Sequence, residues 1–162
     1  MQKVFTKDYS MPQLIMLVAL RMAIGWHLMY EGLVKLLADN WTSYAFLMDS
    51  QGWFSGIFKS IARNPTALAI SDQMNVWGLT LIGFALIAGI FTRYAKIAGM
   101  ILLLFYYAAQ PPLMMSEYLF PGEGSYFLVN KNLIELFALG VLFVFPTGQI
   151  IGIDRLIKRS KN

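Results

Sequence analysis

Residues Pro12 to Leu37 read PQLIMLVALRMAIGWHLMYEGLVKLL, and this stretch decides the fold. It is mostly aliphatic and aromatic, and it exceeds the roughly 20 residues that a helix needs to cross a hydrocarbon core. Four ionisable residues stand inside it: Arg21, His27, Glu31 and Lys35. Such groups are costly within a bilayer, so they face protein or water and are the first place to look for function.

Helical geometry sorts these four residues by face and depth. With Arg21 at 0°, a turn of about 100° per residue puts His27 near 240°, Glu31 near 280° and Lys35 near 320°. All four share one face. His27–Glu31 and Glu31–Lys35 are i, i+4 neighbours, and Glu preceding Lys is the better order. At about 1.5 Å per residue, Arg21 and Glu31 lie roughly 15 Å apart. Arg21 therefore needs a partner on another helix, a carbonyl, water or a bound anion.

Working outward, the chain is 57% hydrophobic over 162 residues, against about 45–50% in soluble domains. The excess falls in blocks. Beyond the first span at 11–37, the pattern predicts spans at 74–91 and 96–114, with Pro111-Pro112 closing the third. A fourth runs from Asn132 to Phe145, extending to 130–146, with Pro146 ending it and Asn130 or Asn132 as its cap. The expected fold is all-α: an integral membrane four-helix bundle forming one domain over 1–162. Lys3, Lys7, Arg93, Lys96, Arg155, Lys158, Arg159 and Lys161 fall on one side. The positive-inside rule then puts both termini in the cytoplasm. The first apolar run is too long for a cleavable signal and lacks a small-residue cleavage site, so it is expected to remain as a span.

The loop from Ala38 to Gln73 is too long for a plain connector. Trp53, Phe54, Ile57, Phe58 and Ile61 recur at helical spacing, with Lys59 and Arg63 off the stripe. This predicts an amphipathic helix in the first outer loop, ended by Asn64-Pro65. It serves either as a membrane-surface anchor or as a lid.

Composition excludes several chemistries. There is no cysteine, which removes disulfides, thiol redox chemistry and thiolate metal sites. One histidine cannot make a His-rich metal site or a bis-His haem within one chain. The net charge of +4 is dispersed, so no nucleic-acid partner is expected.

Glu135 enters the bilayer from the same side as Glu31, and Tyr106, Tyr107 and Gln110 close the third span at that level. Asn75 and Trp77 open the second span there. Two adjacent carboxylates resist double ionisation and share a proton, so Glu31 and Glu135 suit proton exchange with a quinone. They equally suit a static clasp between helices. The candidate catalytic residues are Glu31, Glu135 and His27. The candidate ligand- or anion-binding residues are Arg21, Lys35, Tyr106, Tyr107, Gln110 and Trp26, with no metal site.

The first span also reads Arg21-x3-Gly25-Trp26-x5-Gly32-x2-Lys35-Leu36. Further along come Trp41-Thr42-Ser43, Gly83-x5-Gly89-x3-Arg93, Pro111-Pro112, Glu123-Gly124 and Asn130-Lys131-Asn132-Leu133-Ile134-Glu135. In this order and spacing, from Arg21 to Asp154, the chain resembles the DoxX family of small four-helix bacterial membrane proteins. The resemblance implies a multi-pass protein of the cell inner (cytoplasmic) membrane. Relatives include the membrane subunit of an archaeal thiosulfate:quinone oxidoreductase and proteins linked to membrane oxidoreductase complexes. It emphasises Arg21, Lys35 and Glu135, to which the spacing argument adds Glu31.

The function expected on these grounds is a quinone-interacting subunit of a membrane oxidoreductase system. No cofactor would be bound covalently. Membrane lipids, a quinone and a protein at the outer face would be its partners. Arg21 would anchor the bundle or bind an anion. The alternative is a non-enzymatic membrane anchor or assembly factor whose polar stripe only holds helices together. A carrier for a small solute is a third reading, which the charge-free second span does not favour. The sequence fixes no oligomeric state.

Overall fold

A computed structural model describes residues 9–112, 118 and 127–159, the side chains of 157–159 excepted. The described elements are all helical: α1 (Met11–Leu37), α2 (Tyr44–Met48), α3 (Ser55–Arg63), α4 (Pro65–Ala88), α5 (Thr92–Ala109), α6 (Lys131–Val144) and α7 (Asp154–Arg159). Among the described residues, α1 and α4 are long and apolar enough to cross a membrane. The other two long helices are weaker by that measure. Arg93 and Lys96 occupy the first turns of α5. α6 has 14 residues, which at about 1.5 Å each falls short of a hydrocarbon core of roughly 30 Å.

α1 and α4 pack antiparallel and very closely. A Cβ at Gly83 would collide with the α1 backbone at Met29, and one at Gly32 would collide with Thr80. Small residues let helix backbones approach in this way, which gains dispersion contacts where lipid offers no hydrophobic drive. The interlock also fixes register. Gly25 faces Gly83 and Leu86, and Arg21 comes level with Gly89. Met11 to Leu20 therefore run on past the α4–α5 turn, where Leu17 and Leu20 still pack against the core and Tyr9 meets Phe145 beyond α6. Met11, Ile15 and Met16 face outward and are exposed.

α5 and α6 close the bundle. Leu28 from α1, Leu79 and Leu86 from α4, Leu103 from α5, and Leu139 and Leu142 from α6 form the shared core. The bundle has two ends. The cap end carries α2 and α3, and the turn end carries the α4–α5 turn and α7.

At the cap end Phe58 and Ala62 of α3 pack on Leu47 and Ala109. Polar bonds tie the cap to both long helices beneath it. Asp72 of α4 accepts from Ser43 N at 2.7 Å and from Ser43 Oγ at 2.5 Å. Ser50 Oγ donates to Ala109 O, at the end of α5, at 2.6 Å.

Three helix limits differ from the sequence expectation. α4 begins at Pro65 rather than Met74, because Asn64 both ends α3 and caps α4. Its side chain accepts from Thr66 N and Ala67 N, and proline suits the first helical position. α5 begins at Thr92, four residues before the expected Lys96, and stops at Ala109. The residue before a proline is pushed out of the helical region, and Gln110, before Pro111, is non-helical at φ −129°, ψ 72°. Residues 113–114 of the expected third span lie outside the described residues, as do Glu123-Gly124. For α6, Asn130 is the cap, accepting from Leu133 N at 3.0 Å. The aromatic stripe of the cap divides as well. Phe58 is buried, while Trp53, Phe54 and Ile57 are exposed.

Candidate functional site

The intramembrane charges of α1 separate into three places. His27 meets α6, where its Nδ1 lies 2.6 Å from Glu135 Oε1. At that distance the two groups form an ion pair whenever the imidazole is protonated. The contact is nevertheless poorly directed. His27 Nδ1 and Glu135 Oε2 are both buried and lack a well-aimed hydrogen-bond partner among the described residues. Leaving a buried polar atom in that state costs about 1–3 kcal/mol. The pair remains partly open, with side-chain exposures of 29% for His27 and 16% for Glu135.

Lys35 lies two turns nearer the cap, at the meeting of α1, α4 and α5. Its Nζ is 3.5 Å from Glu31 Oε2 and 3.4 Å from Asn75 Oδ1. The rings of Trp41 and Tyr106 flank it at 5.4 and 5.8 Å. Tyr106 donates to the same Asn75 Oδ1 at 2.8 Å. Lysine has no acceptor, so the Asn75 atom facing it must be the carbonyl oxygen. Its amide NH₂ is thereby turned away from both donors. The sequence shows Asn75 at this level, and the docking of α1, α4 and α5 gives it its two donors.

Two expectations are corrected here. Glu31 and Glu135 are not a carboxylate dyad: Glu31 is engaged by Lys35 and Glu135 by His27. The reason is angular. Lys35 and Glu31 point toward α4 and α5, whereas His27 sits at the edge of that arc and reaches α6. Trp26 also stands apart, 59% exposed and stacked on Tyr30 with ring centroids 6.3 Å apart. Tyr107 and Gln110 are turned to the loops. Tyr107 OH donates to Leu128 O at 2.8 Å, and Gln110 Nε2 approaches Asp49 Oδ2 at 3.4 Å.

Arg21 lies at the turn end, and it is not alone. The segment after α6 folds back beneath the α4–α5 turn, bringing Thr147 to Arg21 Nη1 at 3.3 Å. Asp154 follows and receives Phe91 N at 2.7 Å, Thr92 N at 3.0 Å and Thr92 Oγ1 at 2.6 Å. A carboxylate here satisfies the open N–H groups at the start of α5 and complements its dipole.

Lys96, counted in the sequence as a loop charge, is 1% exposed. Its Nζ donates to Leu142 O at 2.9 Å. The helical partner of that carbonyl would be the N–H of residue 146, four positions on. Residue 146 is Pro146, which has no N–H. Lys96 supplies the missing donor. Pro146, which leaves the Leu142 carbonyl without a helical N–H, is the one sequence feature behind this contact, and it does not single out Lys96.

The DoxX family model matches residues 16–110. The chain belongs to the DoxX family, and is a membrane protein. The matched region takes in α1 from residue 16 onward, the cap, α4 and α5, and so includes Arg21, His27, Glu31, Lys35, Asn75, Lys96 and Tyr106. Glu135, Thr147 and Asp154 lie beyond it. Neither the curated proteins nor the solved structures compared with the chain contain a significant match.

Proposed function

We propose that this protein is a quinone-interacting subunit of a membrane oxidoreductase system, and that His27 and Glu135 exchange protons with the quinone. On this reading α1, α4, α5 and α6 are four spans of the bacterial inner membrane, with both termini cytoplasmic and the cap outside. The observation that carries it is the His27–Glu135 pair, an imidazole and a carboxylate at 2.6 Å between two helices. Glu135 Oε2 is left unpartnered there.

The pair's chemistry follows from its composition. A partner protein or small reductant at the outer face supplies two electrons to the quinone, which takes up two protons to give the hydroquinone. One proton passes through His27, whose imidazolium the Glu135 carboxylate stabilises. The second comes from water through Glu31, one turn nearer the cap and 44% exposed. Solvent extraction of the purified protein, followed by titration with a short-chain quinone, tests the reading. Bound quinone is expected, with affinity reduced at least tenfold in His27→Gln and Glu135→Gln. An extract holding phospholipid alone, together with no saturable quinone binding, would refute it.

The alternative is an anchor or assembly factor. One observation favours it: Lys35 is wholly engaged within the chain, by Glu31, Asn75 and two aromatic rings. A partner that co-purifies in stoichiometric amount, with quinone absent, would select that reading.

A further inference from the structure

α3 has three sides. With Phe58 at 0°, a turn of about 100° per residue puts Ala62 near 40°, Lys59 near 100°, Arg63 near 140°, Gly56 near 160° and Ile57 near 260°. Phe58 and Ala62 are buried against Leu47 and Ala109. Ile57, on one flank, is 60% exposed, and Trp53 and Phe54 just before the helix are exposed too. Lys59 and Arg63 take the other flank, with Gly56 beside them, where a Cβ would meet nothing. The bundle covers one side of α3 and leaves an apolar flank and a basic flank open.

Height decides what lies beside the apolar flank. α5 has 18 residues, which make about 27 Å of helix against a hydrocarbon core of roughly 30 Å. Measured from the α4–α5 turn, its last residue, Ala109, therefore lies at the far edge of that core, and α3 rests on Ala109. α4 agrees. Its 24 residues make about 36 Å, roughly one turn more than the core requires. That surplus turn joins α3 through Asn64 alone. Both measures put α3 in the headgroup layer. Asp72 holds Ser43 there and Ser50 holds Ala109 O, which fits a fixed platform rather than a lid.

We propose that α3 lies in the outer headgroup layer, with Ile57, Phe54 and Trp53 against phospholipid acyl chains and Lys59 and Arg63 toward the phosphates and water. Tryptophan concentrates at this level of a bilayer, and an apolar flank opposed by basic residues is the pattern of a surface-lying helix. Lipid is the occupant because the flank stands at the rim of the spans, where lipid is already present. The inference rests on the four spans of the proposed reading and not on its quinone.

The chain has no cysteine, so single cysteines carry spin labels without background. The full chain, reconstituted in vesicles of phosphatidylethanolamine and phosphatidylglycerol, is read by collision with oxygen, which concentrates in lipid, and with a nickel chelate, which stays in water. The oxygen-to-nickel ratio at Ile57→Cys should exceed that at the adjacent Gly56→Cys by roughly threefold or more. Trp53→Cys should match Ile57→Cys, and it decides alone if Ile57→Cys does not fold. Leu81→Cys, at an exposed position of α4, is the span control and should give the highest ratio. Equal ratios at Ile57→Cys and Gly56→Cys, with Leu81→Cys in lipid, overturn the proposal and leave the spans standing. A label at Ile57→Cys shielded from both reagents also overturns it, in favour of a protein partner or a second copy on that flank. A water-exposed label at Leu81→Cys overturns the spans, and the proposal with them.

Discussion

Toward the cap end, the ionisable side chains of α1 meet other ionisable side chains; at the turn end, Asp154 and Lys96 meet the backbone. His27 faces Glu135 and Lys35 faces Glu31, across distances of 2.6 and 3.5 Å and with partial exposure. Asp154 and Lys96 instead serve helix ends, filling the open N–H groups of α5 and the carbonyl that Pro146 leaves unmatched on α6. Partly exposed pairs contribute little to stability, typically under about 1 kcal/mol. Buried bonds to helix ends carry more, because their loss strands a backbone group. The contrast divides the molecule into an end suited to exchange and an end suited to holding.

The sharpest way to break this contrast is at Asp154. Asp154→Ala strands Phe91 N, Thr92 N and Thr92 Oγ1, and we expect a loss of about 3 kcal/mol, the scale of bonds to a charged acceptor. Denaturant titration in detergent measures it. A loss no larger than that of a cap-end variant would erase the distinction.

Next comes Lys96. Lys96→Met should cost about 1–2 kcal/mol by leaving Leu142 O unpaired. In a Pro146→Ala background, where residue 146 regains an N–H, the same change should cost less. A double-mutant cycle with no coupling would contradict the assigned role of Lys96.

At the cap end, Glu135→Gln should lower stability by under about 1 kcal/mol while weakening quinone binding at least tenfold. The two measurements must part company for the exchange reading to stand. The smallest effect is expected at the exposed Trp26. Trp26→Leu should leave both Tm and quinone affinity unchanged, which sets the baseline for the other variants.

The sequence announced those features that depend on local chemistry. Asn130 as a cap, Pro111 as a stop and the helical stripe through Phe58 all rest on residues within a turn or two of each other. Asn64-Pro65 reads as a stop, and it is also a start. The polar face of α1 was legible from the 100° rotation, but its division was not. Sending His27 to α6 and Lys35 toward α4 and α5 depends on how the helices dock. The turn end was hardest to read. Arg21 and Thr147 lie 126 positions apart, and Asp154 reaches Thr92 across 62. Lys96 resembled a surface charge because its partner is a backbone carbonyl, which no pattern of side chains reveals.

The interlock of α1 and α4 makes the two ends of the molecule mechanically dependent on each other. Gly32 and Gly83 leave no space for a Cβ against the facing helix, so neither position accepts even an alanine unless the helices move apart or slide. A slide at this seam would displace Arg21 from Thr147 and Lys35 from Asn75 in a single step, although the two contacts lie at opposite ends of α1.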